Sequence, residues 1–207
     1  MQRSMQVLLA SSLLFICLGL AGLQLVAWGE GKAETEKTFF SLMAQGDSLP
    51  QKKTIPIMIE GTEEKMVLYL HQAKPLGFYT YVPRDMIAKS NGRTFTVYSR
   101  FQGKVNQNVR FQIIKMGHSF NQAESQLKQI LKEEGFQLKS ISKQRFGFAK
   151  REYALSKTGF MGRAAVFQYN GRYYVLYYFY PPEYADGFEP RLEIILDELV
   201  WYDSIYK

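Results

Sequence analysis

Asn170-Gly171 stands between two runs of aromatic and β-branched residues, Arg163-Ala-Ala-Val-Phe-Gln-Tyr169 and Arg172-Tyr-Tyr-Val-Leu-Tyr-Tyr-Phe-Tyr180. A two-residue type I′ turn needs positive φ at both central positions, and Asn-Gly supplies it at least cost, so the spacing predicts a tight hairpin. The turn fixes the register. Tyr169 faces Arg172, Phe167 faces Tyr174 and Ala165 faces Leu176 on one side. Gln168 faces Tyr173, Val166 faces Val175 and Ala164 faces Tyr177 on the other. Side chains alternate with a period of two, so both faces of this hairpin are largely apolar or aromatic. Two covered faces are expected, the alternative being one displayed tyrosine surface.

Pro181-Pro182 cannot donate to a ladder and ends the second strand. Glu189-Pro190 then reads as a helix start, with proline in the first turn where its missing N–H costs nothing. Leu192, Ile195, Leu196 and Leu199 recur at helical spacing and form one apolar stripe. The hairpin just before it is the natural surface for that stripe.

Towards the N-terminus, Val7 to Trp28 carries no charge and is long enough to span a bilayer. Two readings stand. Ala27-Trp28-Gly29 puts small residues where a signal peptide is cut, while the apolar run exceeds an ordinary signal core and suits a retained anchor. Arg3 sits on the cytoplasmic side by the positive-inside rule, which sends the remainder outward. Residues 1–29 are thus read as signal peptide or membrane anchor, 30–53 as a polar linker and 54–207 as a single domain. The only cysteine is Cys17, so the exported part has no disulfide and no cysteine nucleophile and must hold together by its core.

Within the domain, Ile55 to Glu60 and Lys65 to His71 read as strands around Gly61, and Phe78 to Val82 as a strand stopped by Pro83. Asp85 to Lys89 suits a helical turn. Thr94 to Phe101 and Val109 to Met116 read as paired strands across a polar loop, Gln102 to Asn108. Ser119 to Glu134 is a helix: Asn121-x-x-Glu124 has capping-box spacing, Ala123, Leu127, Ile130 and Leu131 make its stripe, and Gly135 is its stop. Lys139 to Arg145 and Arg151 to Ser156 complete the strands. The order predicts an α+β fold, an antiparallel β-sheet with two main helices packed on it, preceded by an N-terminal apolar export or anchor helix.

Gly77-Phe-Tyr-Thr-Tyr-Val-Pro83, the helix at Asn121, Arg172-Tyr-Tyr-Val-Leu-Tyr after a turn and an amphipathic helix running to Trp201 together resemble the PsbP-like fold over residues 70–203. That fold also occurs in a nuclear Ran-binding protein and in exported bacterial proteins of unknown role. The resemblance implies a protein that binds other proteins rather than a catalyst, and it assigns no ligand residue here.

The residues themselves carry little chemistry. His71 and His118 are the only histidines, and neither has a His or Asp partner at metal spacing. No nucleophile elbow, phosphate loop or dinucleotide glycine pattern occurs. The carboxylate pairs Glu63-Glu64 and Glu133-Glu134 fall at a turn and a helix end, where solvated charge is ordinary. No catalytic residue, metal ligand or cofactor is expected.

Charge is more informative. The chain has 26 Lys/Arg against 19 Asp/Glu, a formal +7, and 14 of those cations against four acids lie between Arg84 and Arg151. Lys139, Lys143, Arg145, Lys150 and Arg151 fall together with no acid among them, flanking Phe146 and Phe148. This is either a lysine-guarded strand edge or a face for an anionic envelope component (lipid or wall polymer) or an acidic envelope protein. The export segment argues against nucleic acid. The expectation is a non-enzymatic, extracytoplasmic, membrane-proximal binding module using those five residues. Its rivals are a small-ligand or glycan receptor stacking on Tyr174 and Tyr178, and a cell-envelope hydrolase.

Overall fold

A computed structural model describes residues 49–59 and 62–204. The apolar segment Val7–Trp28 and nearly all of the segment read as a linker lie outside the described residues. β1 (Lys52–Ile59) takes in the last two residues of that linker, and pairs antiparallel with β2 (Thr62–Ala73). β3 (Phe78–Pro83) adds to β2, and a short terminal strand, β11 (Val200–Trp201), adds to β3. These four form one sheet in the order β1-β2-β3-β11.

The remaining strands are β4 (Met86–Ser90), β5 (Thr94–Phe101), β6 (Lys104–Lys115), β7 (Gln137–Ser140), β8 (Ala149–Ser156), β9 (Met161–Tyr169) and β10 (Arg172–Tyr180). They make a seven-stranded sheet, order β4-β5-β6-β10-β9-β8-β7, antiparallel throughout. Among the described residues two α-helices pack with these sheets, α1 (Phe120–Glu133) and α2 (Ala185–Asp197). The fold class is α+β, as the sequence order implies.

The hairpin sits near the centre of the larger sheet. Asn170 and Gly171 have φ of 49° and 73°, the type I′ signature, and every pairing read from the sequence is present. Its period of two splits the core in two. Ala165, Phe167, Tyr174, Leu176, Tyr178 and Tyr180 pack with Phe78, Val82, Phe188, Leu192 and Ile195, on the side of α2 and β3. Ala164, Val166, Val175, Tyr177 and Phe179 pack with Ala123, Leu127 and Leu131 of α1. Both faces are therefore covered. Each such large side chain contributes about 1.5–3 kcal/mol on burial before conformational entropy is charged. The tyrosine hydroxyls keep partners as they are buried: Tyr177 donates to Gln112, Tyr180 to Glu189 and Tyr174 to the Leu76 carbonyl at 3.1 Å. Burial pushes the Tyr177, Tyr178 and Tyr180 hydroxyls above the usual tyrosine range.

Several local expectations are corrected. Asp85 to Lys89 is not a helical turn; β4 extends from Met86 and pairs with β5. The expected loop Gln102 to Asn108 is mostly strand, because Gln102 (φ 48°) and Gly103 (φ 78°) close a tight turn and β6 begins at Lys104. Lys139 to Arg145 is strand only as far as Ser140, and no regular element covers 141–148. The capping box at Asn121 is absent. Ser119 is the cap, without a side-chain bond, and Glu124 is bound by Tyr153, Arg151 and Lys128 instead. Gly135 does end α1: at φ 82° it lets its own N–H reach the Lys132 carbonyl and the Phe136 N–H reach that of Leu131, a Schellman motif.

α2 starts at Ala185 rather than at Pro190, which sits inside it. Proline there removes one hydrogen bond, to the Asp186 carbonyl, at an exposed turn where water can replace it. Starting earlier also buries Phe188 beside Leu192 and Ile195. The Thr80 hydroxyl donates to the Ile195 carbonyl at 2.7 Å, a buried bond that pins α2 to β3.

Candidate functional site

The five basic residues do not form one free surface. Lys139, on β7, and Lys143, in the connector to β8, are exposed and have no ion pair among the described residues. Arg145 turns inward. Its guanidinium donates to Glu193 (2.7 Å), to the Tyr178 hydroxyl (2.9 Å) and to Glu189 (3.5 Å). It joins the connector to α2 and is a structural residue.

The reason lies next to it in the fold. Glu152 is a buried acid whose side chain is 0 % exposed. Its carboxylate accepts the backbone N–H groups of Arg145 (2.8 Å) and Phe146 (3.1 Å) and the Arg163 guanidinium (2.8 Å). That shapes the otherwise irregular connector.

A bulge between Ala149 and Arg151 interrupts the β8–β9 register. Lys150 bonds Gln168 at 2.6 Å and lies over the Tyr173 ring, while Arg151 pairs with Glu124 at 3.0 Å over the Phe120 ring. Both contacts are on the α1 side of the sheet. The Tyr153 hydrogen bond, helped by Arg151 and Lys128, holds Glu124 below the usual carboxylate range despite desolvation. Desolvation and the same bond push Tyr153 up to about 12. Of the five, Lys139, Lys143 and Lys150 have no acid partner among the described residues, and Lys150 is held in place by Gln168 and Tyr173. Tyr174 and Tyr178, 4 % and 1 % exposed, cannot serve as stacking platforms.

A different cluster gathers cations from several elements. The chain passes from the smaller to the larger sheet at Arg84-Asp85, between β3 and β4. The corner is held by Arg84 N–H to the Val67 carbonyl (2.9 Å) and Arg100 N–H to the Asp85 carbonyl (3.0 Å). Arg84, Arg100 from β5, Arg191 from α2 and Lys65 from β2 surround a hollow of about 370 Å³, with Glu64 and Asp85 also on its wall. Arg191 is committed to Asp85 at 2.7 Å. Arg100 donates to the Arg84 carbonyl at 2.8 Å, which fixes its position without neutralising it. Arg84, Arg100 and Lys65 have no acid partner among the described residues. The second Asp85 carboxylate oxygen is buried and unbonded there. Guanidinium groups in such a concave setting match a carboxylate or phosphate with paired N–H donors.

The remaining polar candidates are ordinary. The His71 ring nitrogen Nε2 lies 3.1 Å from the Ser90 hydroxyl, its ring packs on Phe95, and burial lowers its basicity. No carboxylate among the described residues bonds to His71 to orient it as a base. Glu134 binds Arg110, and Glu133 accepts from Gln129 at 3.1 Å, so that pair is spent on the end of α1. Among the described residues no group of three or more His, Cys, Asp or Glu is arranged to hold a metal ion. No helix among them is long and apolar enough to cross a membrane.

The molecule is thus an α+β protein built on antiparallel sheet, with a cationic cleft where the two sheets meet. Among solved structures it is similar to the solution structure of cyanobacterial PsbP (CyanoP) from Synechocystis sp. PCC 6803, at 12% identity and a TM-score of 0.43, over 65% of this chain and 92% of that one. It is also similar to a crystal structure from Bacteroides thetaiotaomicron VPI-5482, at 13% identity and a TM-score of 0.37, over 64% of this chain and 47% of that one, about half of that protein's length. The resemblance read from the sequence names the same PsbP-like kind of structure that this comparison returns. No protein-family model matches the chain, and no curated protein matches it.

Proposed function

We propose that this chain is a non-enzymatic binding module, held or released outside the cytoplasm, that recognises a carboxylate- or phosphate-bearing component of the cell envelope. The observation that carries this reading is the cleft of Arg84, Arg100, Arg191 and Lys65, where four cations face two carboxylates, Glu64 and Asp85, and only Arg191 is paired with an acid, Asp85, among the described residues. The concave shape favours a protruding anionic group, on a protein segment or a wall polymer, over a flat membrane surface. The apolar segment Val7–Trp28 supports the extracytoplasmic placement. Lys139 and Lys143 remain as a weaker, peripheral attraction.

Titration calorimetry with poly-L-glutamate and with polyphosphate tests the reading. A charge-assisted hydrogen bond is worth about 1.5–3 kcal/mol. Arg84→Ala/Arg100→Ala is therefore expected to weaken binding of at least one polymer by about tenfold or more. Binding should also fall steeply as salt rises past about 0.15 M. Lys139→Ala/Lys143→Ala should change it by less than about threefold. Wild-type affinity in the arginine double variant, or equal losses in both, would remove the cleft as the recognition site.

A further inference from the structure

A second hollow lies on the other edge of the α2 contact, and no part of the anion-cleft reading uses it. Its walls are Phe148, Phe167, Leu176, Leu196 and Leu199, and its volume is about 190 Å³. Phe148 forms an unusual wall. It is 52 % exposed although it is a large apolar side chain, and its ring stacks on Phe146 (5.5 Å) and meets Phe167 edge-on (5.2 Å). The connector shaped by Glu152 thus holds an aromatic ring over an apolar recess instead of burying it.

One end of the recess is bordered by Tyr169 and Trp201, stacked at 4.2 Å and 15°. The same two rings also border a neighbouring polar hollow of about 290 Å³. Lys74, Lys115 and Arg172 line that second hollow, with Asp203 as its one acid. Asp203 is already bonded by Asn170, and Lys115 donates to the Pro75 carbonyl at 3.3 Å, which orients its charge without cancelling it. An apolar recess and a cationic one therefore share a wall.

We infer that the pair of hollows binds a small amphipathic anion, its apolar part under Phe148 and its charged head beside Arg172 and Lys74. The volume sets the size of the tail. An apolar cavity of about 150 Å³ accommodates a benzene ring, so this recess takes one ring or a chain of roughly six to eight carbons. The aromatic walls give edge and face contacts to such a tail, and the excess positive charge selects a carboxylate or phosphate over a neutral head. A long acyl chain does not fit the recess, which distinguishes this site from a membrane-lipid groove.

Octanoate, 1-octanol and acetate separate the two contributions, with calorimetry on the full chain and Trp201 emission in a Trp28→Phe background as readouts. Octanoate is expected to saturate at one per chain. Octanol should bind at least tenfold more weakly, and acetate should not register. Lys74→Ala/Arg172→Ala changes two exposed side chains away from both cores, and it should bring octanoate down to the octanol affinity while leaving the unfolding midpoint unchanged. Arg84→Ala/Arg100→Ala should leave octanoate binding as it is. Equal affinity for octanoate and octanol, non-saturating uptake, or unaltered octanoate binding in the Lys74/Arg172 variant would overturn the inference.

Discussion

Glu152→Ala is expected to destabilise the folded chain by about 2–4 kcal/mol, because each buried donor left without its acceptor costs about 1–3 kcal/mol. The side chain satisfies three donors at once: the backbone N–H groups of Arg145 and Phe146 and the Arg163 guanidinium. Without it two backbone donors lose their acceptor and keep their desolvation cost, while the Arg163 guanidinium, 34 % exposed, is partly served by water. Glu152→Gln retains an acceptor but adds donors facing Arg163, and should fall between the two. Denaturant midpoints measure this directly. A loss under about 1 kcal/mol for the alanine variant would mean that the connector holds its shape without the acid. The segment so shaped carries Phe146 and Phe148, so the same variant should also loosen the aromatic wall of the apolar recess.

Gly162→Ala is the second large effect, and its cause is steric. Gly162 lies opposite Phe179 in the central pairing, and a methyl group there would stand 2.2 Å from the Tyr178 carbonyl oxygen. That neighbour is backbone, so it cannot rotate away; β9 and β10 would have to separate beside Tyr178 and Phe179, which face opposite cores. We expect a loss of upwards of about 3 kcal/mol, at the high end for overpacking. At about 2–4 °C per kcal/mol for a chain of this size, the thermal midpoint should fall by roughly 6–12 °C. Gly147→Ala, where an added methyl meets nothing within 4 Å, is the control and should leave the midpoint in place. Equal midpoints for the two variants would show that the strands yield at Gly162 without cost.

The sequence revealed the parts of the fold whose cause is local. Asn170-Gly171 encodes its own φ values, and an alternating aromatic hairpin then determines which residues meet which core. Gln102-Gly103 adopts the same backbone but was hidden, because glutamine carries no preference for positive φ and the strand that follows opens on a largely exposed polar stretch. Asn121-x-x-Glu124 had the spacing of a cap, yet Glu124 gains more from Tyr153, Arg151 and Lys128 than from one backbone N–H.

The pairing of two arginines in the basic stretch was hidden for a related reason. A run of cations with no acid nearby in sequence looks free, but Arg145 meets Glu189 and Glu193 from 44 and 48 residues away, and Arg151 meets Glu124 from 27. The arginine cleft was invisible in turn because its members come from β2, the β3–β4 corner, β5 and α2. Asp85 and Arg191 are 106 residues apart. Only the excess of positive charge hinted that some such place existed.

The proposed function places the partner at the cleft rather than at the Lys139–Arg151 stretch. A photo-reactive residue at Glu64, on the cleft wall, and another at Lys139 would test it in intact producing cells. One recurrent crosslinked product is expected from position 64, lost on raising salt and lost in the Arg84→Ala/Arg100→Ala background, with little from position 139. The same product from position 139 alone, or a product at position 64 indifferent to both arginines, would contradict it.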